Sequence, residues 1–349
     1  MSRDKLIIIG VLVFGVLGFL VYEQSRKDAA IGQPPAMAKD LPTISAPDDI
    51  DKISLTNGDK GEVVLEKVAD PTGAAAADGG AGGVWKLTKP LTAPANQQTL
   101  KDLVANIKEL KIEEPINLKL DDDVRKDKQL DAAHGLHLVA WKGSQKEVDE
   151  TFGKSGTAGQ LVVVTAKPDQ VWAAKGYSGY LYTKEAKDYR DKEILKFDDG
   201  NAAQVTIANT HGTLSFTKGD AKWVGTFDNK PIANFSEDKV KDMLRAAKAL
   251  TADDFGDGKS LADTGLDKPD ATLTIVLKDG AGRYDLLVGK TGSGTNRYAK
   301  RAGDDTIYQI ASYLADWLTS DASKYASSPD AGAASAPDGG MKLSQRFKK

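Results

Sequence analysis

Two short motifs that combine glycine, lysine and a hydroxyl residue have the residue types that bind phosphate. Gly153-Lys154-Ser155 and Gly289-Lys290-Thr291 match the last part of a phosphate-binding loop. That loop needs another glycine five residues earlier, so that its backbone wraps the phosphates, and Val148 and Tyr284 stand there instead. β-type sequence follows each motif, where the loop requires a helix. The pattern therefore favours two hairpin turns, with glycine at positive φ and lysine in water, over nucleotide binding.

The three histidines are the next candidates, as metal ligands or general bases. His134 and His137 form an H-x-x-H pair, but zinc needs three or four ligands, often supported by a carboxylate. Thr264 and Asp267 occupy the corresponding positions of a second, similar stretch, so the framework does not require histidine. We predict that both histidines lie in a surface turn. His211 is predicted in a hairpin turn, and no serine–histidine–acid arrangement is recognisable.

Runs of acidic residues have the clustered oxygens that calcium prefers. Asp121-Asp122-Asp123 and Asp253-Asp254 lack the D-x-D-x-D-G spacing of an EF-hand, and Glu113-Glu114 aligns with Asp253-Asp254. We predict that all three runs are solvated loop charges. The sequence thus offers no catalytic residue, no cofactor-binding residue and no metal ligand, and we expect that the protein is not an enzyme.

Composition narrows the choice of partners and of chemistry. The 349 residues include 47 Lys and Arg and 50 Asp and Glu, for a formal net charge of −3. No basic field therefore attracts nucleic acid, and we expect no nucleic-acid partner. The chain has no cysteine, which excludes disulfides, thiolate nucleophiles and cysteine-ligated metals. At roughly 150 residues per domain, the length suggests two folded domains.

An uncharged apolar stretch near the N-terminus, Leu6–Tyr22, has the composition of a membrane-spanning helix. At about 1.5 Å per residue it is roughly 26 Å long, just enough for the hydrocarbon core of a bilayer. A cleaved signal peptide is the alternative, but its small-x-small site should follow closely, and the first such site is Ala36–Ala38. We predict a signal anchor over residues 1–27, with the short N-terminal tail inside the cytoplasm and the remaining chain outside.

Composition also marks linkers. Residues 28–48 contain four prolines, which predict an extended Pro-rich linker. Residues 327–349 are rich in small and polar residues, which predicts a disordered tail. Asp70–Gly83, inside the first domain, consists mostly of glycine and alanine and is predicted to be an elongated hairpin loop.

The core of the chain contains an internal duplication, with repeats over residues 51–195 and 203–325. Each repeat begins with two alternating strands and a short strand that carries a tryptophan, Trp85 or Trp223. An amphipathic helix with apolar residues at i, i+3, i+4 and i+7 follows. The helical stripes are Leu100, Leu103, Val104, Ile107 and Leu110 in one repeat and Val240, Met243, Leu244, Ala247 and Leu250 in the other. Asn96 and Ser236 precede these helices as predicted N-caps.

The second half of each repeat is aligned by shorter matches. His134-Gly135-Leu136 aligns with Thr264-Gly265-Leu266, and Val171-Trp172 aligns with Ile307-Tyr308. A closing helix follows, which is weak in the first repeat because of Gly176 and Gly179. In the second repeat its buried face is predicted to comprise Ile310, Tyr313, Leu314, Trp317 and Leu318.

Each repeat therefore has the predicted order β-β-β-α-β-β-β-β-α. We predict an α+β fold, namely an N-terminal transmembrane helix followed by two tandem, internally duplicated domains. Strands that follow one another through short turns form mostly antiparallel sheet, with the helices on one face.

The order of several motifs resembles a known family. They are Asp49–Leu55 (D-I-x-x-I-x-L), Trp85–Pro90, Ala93–Asn96 at the start of a helix, Gly265–Pro269 and Leu287–Lys290. In this order they resemble the family catalogued as domain of unknown function 4340, whose members are bacterial envelope proteins often encoded beside ABC transporters of the gliding-motility type. The resemblance implies no catalytic residues. Gly135-Leu136-His137 in the first repeat departs from the Gly-Leu-Asp-x-Pro pattern of the second.

These observations lead to an expectation about function. We expect a single-pass protein of the bacterial inner membrane, held through Leu6–Tyr22, with its soluble domains on the periplasmic side. There it would act as a non-enzymatic accessory or scaffold protein of a membrane complex, namely an ABC-type transporter. The alternative is a module that binds cell-wall glycan or peptide in the cleft between the repeats. The five tryptophans could stack on sugars, but core packing is favoured, above all for the matched pair Trp85 and Trp223.

Overall fold

The computed structural model describes residues 41–44, 46, 49–69, 83–220 and 222–327. They form two compact units, which divide between Asp191 and Lys192. The predicted anchor, most of the predicted linker and tail, and the Gly- and Ala-rich loop up to residue 82 lie outside the described residues. Within the described ranges, no helix has both the length and the apolar character to cross a membrane.

The first unit is built on one nine-stranded antiparallel sheet with the strand order β4-β3-β2-β1-β6-β7-β8-β9-β5. The strands are β1 (Lys52–Asn57), β2 (Gly61–Ala69), β3 (Gly83–Lys89), β4 (Ala93–Pro94), β5 (Lys111–Ile116), β6 (Leu136–Lys142), β7 (Gln145–Ser155), β8 (Gln160–Val164) and β9 (Val171–Lys175). The helices are α1 (Gln97–Glu109), α2 (Asp122–Asp127) and α3 (Gly179–Tyr182).

One face of this sheet and helix α1 form the main core of the unit. Because side chains alternate along a strand, Ile53 and Leu55 of β1 point to the same face, where they are buried. Leu100, Leu103 and Ile107 of α1 are buried in the same cluster. Each such residue stabilises the fold by about 1.5–3 kcal/mol relative to an exposed position. The predicted stripe of α1 is confirmed, and so is its N-cap, because the Asn96 side chain accepts a hydrogen bond from the Thr99 N–H at 2.9 Å.

The face of the sheet opposite to α1 is also partly buried, whereas the sequence predicted that only one face is covered. Leu161, Val163 and Val171 of β8 and β9 form a second buried cluster with Leu130. Ile116, Leu118 and Leu120 pack against this cluster. The folded unit also begins before residue 51, since Ile44 of the predicted linker is 8% exposed and belongs to the main core.

The second unit repeats this topology in a sheet with the order β14-β13-β12-β11-β17-β18-β19-β20-β16. Its strands are β10 (Glu193–Lys196), β11 (Ala202–Asn209), β12 (Gly212–Lys218), β13 (Trp223–Phe227), β14 (Lys230–Pro231), β15 (Ala249–Thr251), β16 (Asp254–Phe255), β17 (Ala271–Leu277), β18 (Arg283–Thr291), β19 (Arg297–Arg301) and β20 (Tyr308–Ile310). Its helices are α4 (Glu237–Ala247), α5 (Leu261–Thr264) and α6 (Ser312–Leu318).

The strand orders of the two large sheets correspond position by position. β1–β4 correspond to β11–β14, β6–β9 to β17–β20, and β5 to β16. The prediction of an α+β fold with mostly antiparallel sheet is therefore confirmed. Strand β10 pairs with β15, so Glu193–Lys196 belong to the second unit, whereas the sequence placed the end of the first repeat at residue 195.

Two details differ from the sequence predictions. Ser236 holds the N-cap position of α4, but its side chain makes no capping hydrogen bond. The adjacent Glu237 carboxylate accepts a weak hydrogen bond from the Trp223 N–H, which links the start of α4 to strand β13. Tyr313 was placed on the buried face of the closing helix, yet it is 61% exposed. The buried face of this helix comprises Leu314, Ala315, Trp317 and Leu318, which leaves Tyr313 at its edge, and Ile310 lies in β20 before the helix begins.

Candidate functional site

The two glycine–lysine motifs are β-bulges inside strands, and the prediction of hairpin turns is wrong. Gly153 and Gly289 lie within β7 and β18, where the pairing register shifts. Neither glycine has a positive φ. A Cβ added at either position would overlap the carbonyl oxygen of Lys128 or of Thr264. Glycine is thus required because a second backbone segment crosses each strand at contact distance.

These crossing segments show which residues correspond between the repeats. Leu130 and Leu266 both donate backbone hydrogen bonds to the carbonyl five residues earlier, as in a Schellman motif. The residue before each has left-handed backbone, φ 56° at Gln129 and 69° at Gly265. Lys128-Gln129-Leu130 is therefore the equivalent of Thr264-Gly265-Leu266. The predicted alignment of His134-Gly135-Leu136 with Thr264-Gly265-Leu266 is wrong, because it relied on the Gly-Leu pair that the two stretches share.

The acidic runs lie mostly at the surface, as predicted, but several of their residues belong to a helix or a strand and not to loops. Asp121 caps helix α2 by accepting a hydrogen bond from the Val124 N–H at 2.9 Å. Glu113-Glu114 lies in β5 and Asp254 in β16, the corresponding outermost strands. No group of three or more acidic or histidine side chains that could hold a metal occurs within the described ranges.

The histidines have three different environments. His211 lies in the turn between β11 and β12, as predicted. His134 lies in the turn before β6, and its Nδ1 is 2.9 Å from the Asp131 carboxylate. This contact lowers the pKa of Asp131 below its ordinary value. His137 is not in a turn but in strand β6, which contradicts the prediction.

His137 is the central member of a polar row that crosses three neighbouring strands. Thr56 of β1 lies opposite His137, and His137 lies opposite Thr151 of β7. All three belong to the face of the sheet that is turned away from the main core, because their neighbours along each strand are buried in that core.

A pocket of about 210 Å³ is formed over this row. The turn between α2 and β6 closes one side of it. The lining residues are Thr56, Leu130, Asp131, Ala132, Gly135, His137 and Thr151. We call this space the His137 pocket.

The imidazole of His137 is held in place by the carboxylate of Asp149. His137 Nε2 is 2.7 Å from Asp149 Oδ1, which also accepts a hydrogen bond from Thr165 Oγ1 at 3.0 Å. Lys146 Nζ donates to the other carboxylate oxygen at 2.7 Å. Burial raises the pKa of Asp149, but the three hydrogen bonds outweigh this effect and lower it below its ordinary value. An ionised carboxylate only accepts, so Nε2 carries a proton, and in the neutral form of the imidazole Nδ1 is then the acceptor.

The hydroxyls of Thr56 and Thr151 make no hydrogen bond to His137 in the described part of the chain. A serine-protease-like relay requires a hydroxyl within hydrogen-bonding distance of the imidazole, and the geometry here does not provide one. What the pocket offers is a set of donors and acceptors that can bind a ligand.

A second unusual group, Glu150, lies on the other face of β7. Val148 and Phe152, its neighbours on that face, are buried in the main core, and Glu150 itself is only 6% exposed. Its Oε2 has no hydrogen-bond partner. Burial, together with the nearby charge of Asp149, raises the pKa of Glu150 to about 8, although backbone hydrogen bonds partly oppose the shift. In the second unit Leu286 occupies this position, because Leu138 pairs with Glu150 and the corresponding Leu273 pairs with Leu286.

The tryptophans are consistent with core packing rather than with a sugar-stacking surface. Trp85, Trp172, Trp223 and Trp317 are all buried, and only Trp141 is partly exposed. Large exposed hydrophobic residues of the described chain include Tyr180 at 68% and Tyr313 at 61%.

The sequence could have revealed Glu150 but not the pocket. Glu150 interrupts an alternating apolar pattern, and alignment of Phe152-Gly153-Lys154 with Val288-Gly289-Lys290 places it opposite Leu286. The His137 pocket depends on a turn that folds over the sheet, and no local pattern signals that contact.

The fold and the site define an α+β protein of two topologically equivalent antiparallel units, the first of which carries the His137 pocket. The sequence profile of the family described as Domain of unknown function (DUF4340) matches residues 85–269 and 233–327, which together make up more than half of the chain. The chain therefore belongs to this family. No curated protein matches it. No solved structure matches it either.

Proposed function

We propose that this protein is a membrane-anchored, extracytoplasmic accessory protein that uses its two units to hold a partner complex, an ABC-type transporter. The anchor in this proposal is the apolar segment Leu6–Tyr22. The role is non-enzymatic: the protein binds and positions its partner.

The observation that carries the proposal is the repetition of one topology with one exposed aromatic residue in each copy. Tyr180 is the second residue of α3 and Tyr313 the second residue of α6, the helices that follow β9 and β20. Each tyrosine precedes a buried leucine, Leu181 or Leu314. The core needs the leucine, whereas nothing in the core needs an exposed tyrosine.

Tyrosine suits a contact role because its ring and hydroxyl provide apolar area and a hydrogen bond at little cost in side-chain entropy. Two matched contact positions on one chain raise the effective affinity when both are engaged. The matching strand orders of the two large sheets support gene duplication as the origin of the units.

The test is recovery of the tagged full-length chain from detergent-solubilised membranes of its native host after mild crosslinking. We expect wild-type protein to bring down the subunits of an ABC-type transporter, identified by mass spectrometry. Recovery should fall for Tyr180→Ser and for Tyr313→Ser and be lost in the double variant. Val224→Ser is the matched control, because Val224 is also 60% exposed but belongs to no matched pair. Recovery of the chain alone, or equal recovery by all variants, would refute the proposal.

A further inference from the structure

The His137 pocket contains polar groups that no other described residue satisfies. Neither the Thr56 hydroxyl, nor the Thr151 hydroxyl, nor Nδ1 of His137 makes a hydrogen bond within the described chain. All three residues line the same pocket, and so does Asp131, whose carboxylate also contacts His134 Nδ1. Polar groups that converge on a small space in this way are the usual mark of a binding site.

The second unit shows that the fold does not require this polar row. At the positions of Thr56, His137 and Thr151 it has Ala208, Thr272 and Leu287, which pair across the sheet in the same register. The two rows thus differ in chemistry on one shared framework. Leu130, by contrast, corresponds to Leu266, and both are buried, so the apolar wall is common to the two units.

The size of the pocket limits the ligand. Its volume of about 210 Å³ is below the roughly 300–1,000 Å³ of sites for drug-sized molecules, so it admits a single small ring. Leu130, Ala132 and Gly135 supply an apolar side against which the C–H groups of such a ring can pack.

The charges around the pocket limit the ligand further. Asp131 lines the pocket and Asp149 lies behind His137, and the pKa values of both carboxyls are lowered, so both are ionised near neutral pH. Negative charge on both sides disfavours an anion. A cation gains little, because the carboxylate oxygens already have partners: Asp131 contacts His134 Nδ1, and Asp149 accepts hydrogen bonds from His137 Nε2, Lys146 and Thr165. Hydroxyl groups, which both donate and accept, match the two threonines, the imidazole acceptor and the Asp131 carboxylate together.

We propose that the His137 pocket binds one neutral sugar ring, either a free sugar or the end residue of a glycan, through Thr56, Asp131, His137 and Thr151. This proposal does not depend on the accessory role, which concerns Tyr180 and Tyr313.

The experiment is saturation-transfer-difference NMR on the full-length chain in lauryldimethylamine oxide, a detergent with neither a sugar nor a phosphate headgroup. Four probes are used at millimolar concentration. Glucose represents a free sugar, maltose a ring at the end of a chain, methyl phosphate an anion, and methylammonium a cation, and each probe has C–H protons that the method detects. We expect saturation transfer to glucose, maltose or both, and none to methyl phosphate or methylammonium.

The variant that tests the site replaces the polar row by the row of the second unit, Thr56→Ala, His137→Thr and Thr151→Leu. We expect its affinity for the sugar to fall at least tenfold, while its amide NMR spectrum remains that of a folded protein. The matched control, Thr272→Val in the second unit, removes a hydroxyl at the position equivalent to His137 and should bind as wild type. His137→Thr alone provides a second, milder variant with the same expected direction. Absence of sugar binding, binding that survives the triple exchange, or preferential binding of methyl phosphate or methylammonium would overturn the proposal.

Discussion

Replacement of Glu150 by leucine should stabilise the first unit near neutral pH and remove a pH dependence of its stability. Leu286 already occupies the equivalent position of the second unit, so the shared framework accepts a leucine there. The carboxyl of Glu150 is buried against Val148 and Phe152, and one of its oxygens lacks a partner. Burial of an ionisable group without full compensation favours its neutral form.

The magnitude follows from the raised pKa. The pKa is about 8 in the folded protein against an ordinary value of 4.5, so the folded state keeps the proton over a range in which the unfolded state loses it. The stabilising effect of this bound proton is complete below pH 4.5 and is lost as pH rises through the folded pKa. At about 1.4 kcal/mol per pH unit above 4.5, the first unit loses of the order of 3 kcal/mol of stability by pH 7 relative to acidic solution, because the unfolded chain ionises at Glu150 while the folded protein keeps the proton. The leucine variant has no such slope.

Hydrogen exchange of the β6, β7 and β8 amides provides the assay, because it reports on the first unit alone in a protein whose units need not unfold together. Free energies of opening, corrected for intrinsic exchange, are compared between about pH 5 and pH 8. The control is the reverse change, Leu286→Glu, which should introduce the same downward slope in the second unit. Equal slopes for wild type and Glu150→Leu would show that Glu150 is solvated or paired, and the reasoning from burial would then be wrong.

Three further predictions concern the backbone contacts and the anchor. Gly153→Ala and Gly289→Ala should each destabilise the unit that contains them by about 1–3 kcal/mol or more, measured by hydrogen exchange, because the new Cβ overlaps a carbonyl oxygen; near-neutral effects would contradict the close crossing. Gln129→Gly should stabilise the first unit by a few tenths to about 1 kcal/mol, because φ is positive at this position and glycine adopts it without strain. Gly265→Ala should destabilise the second unit by about 1–2 kcal/mol for the same reason, in the same assay. Effects of opposite sign would disprove the equivalence of the two positions. Deletion of residues 1–27 should release the protein from membranes during alkaline carbonate extraction, whereas retention of the truncated chain would exclude Leu6–Tyr22 as the anchor.

Much of the sheet could be predicted because alternation and internal alignment reinforce each other. Alignment of Trp172 with Tyr308 is confirmed by the strand register, since Val162 pairs with Trp172 and the corresponding Ala299 pairs with Tyr308. Agreement between two divergent copies is strong information, because chance similarity in one copy is not repeated in the other. Short elements such as α2, with six residues, and β16, with two, were missed because they hold too few periods for a hydrophobic pattern to stand out.

The errors have a common physical origin, which is that residue identity was used where backbone geometry decides. Gly135 aligns with Gly265 by residue type, but it is Gln129 that has the left-handed conformation of Gly265. Gly153 was placed in a turn because glycine favours turns, whereas its actual constraint is the neighbouring carbonyl of Lys128. Contacts between segments distant in sequence determine both positions, and local propensity does not include them.

The two units serve as controls for each other, and this comparison separates structural residues from functional ones. Where both units share a feature, such as the capped turn with Leu130 and Leu266, the common fold explains it. Where the first unit has a titratable side chain at a position that the second fills with an uncharged residue, Thr272 or Leu286, the fold does not explain it. His137 and Glu150 are both of this second kind, and they lie on neighbouring strands, β6 and β7. The first unit therefore differs in chemistry from the shared framework at these two strands, and this is where binding is to be tested first.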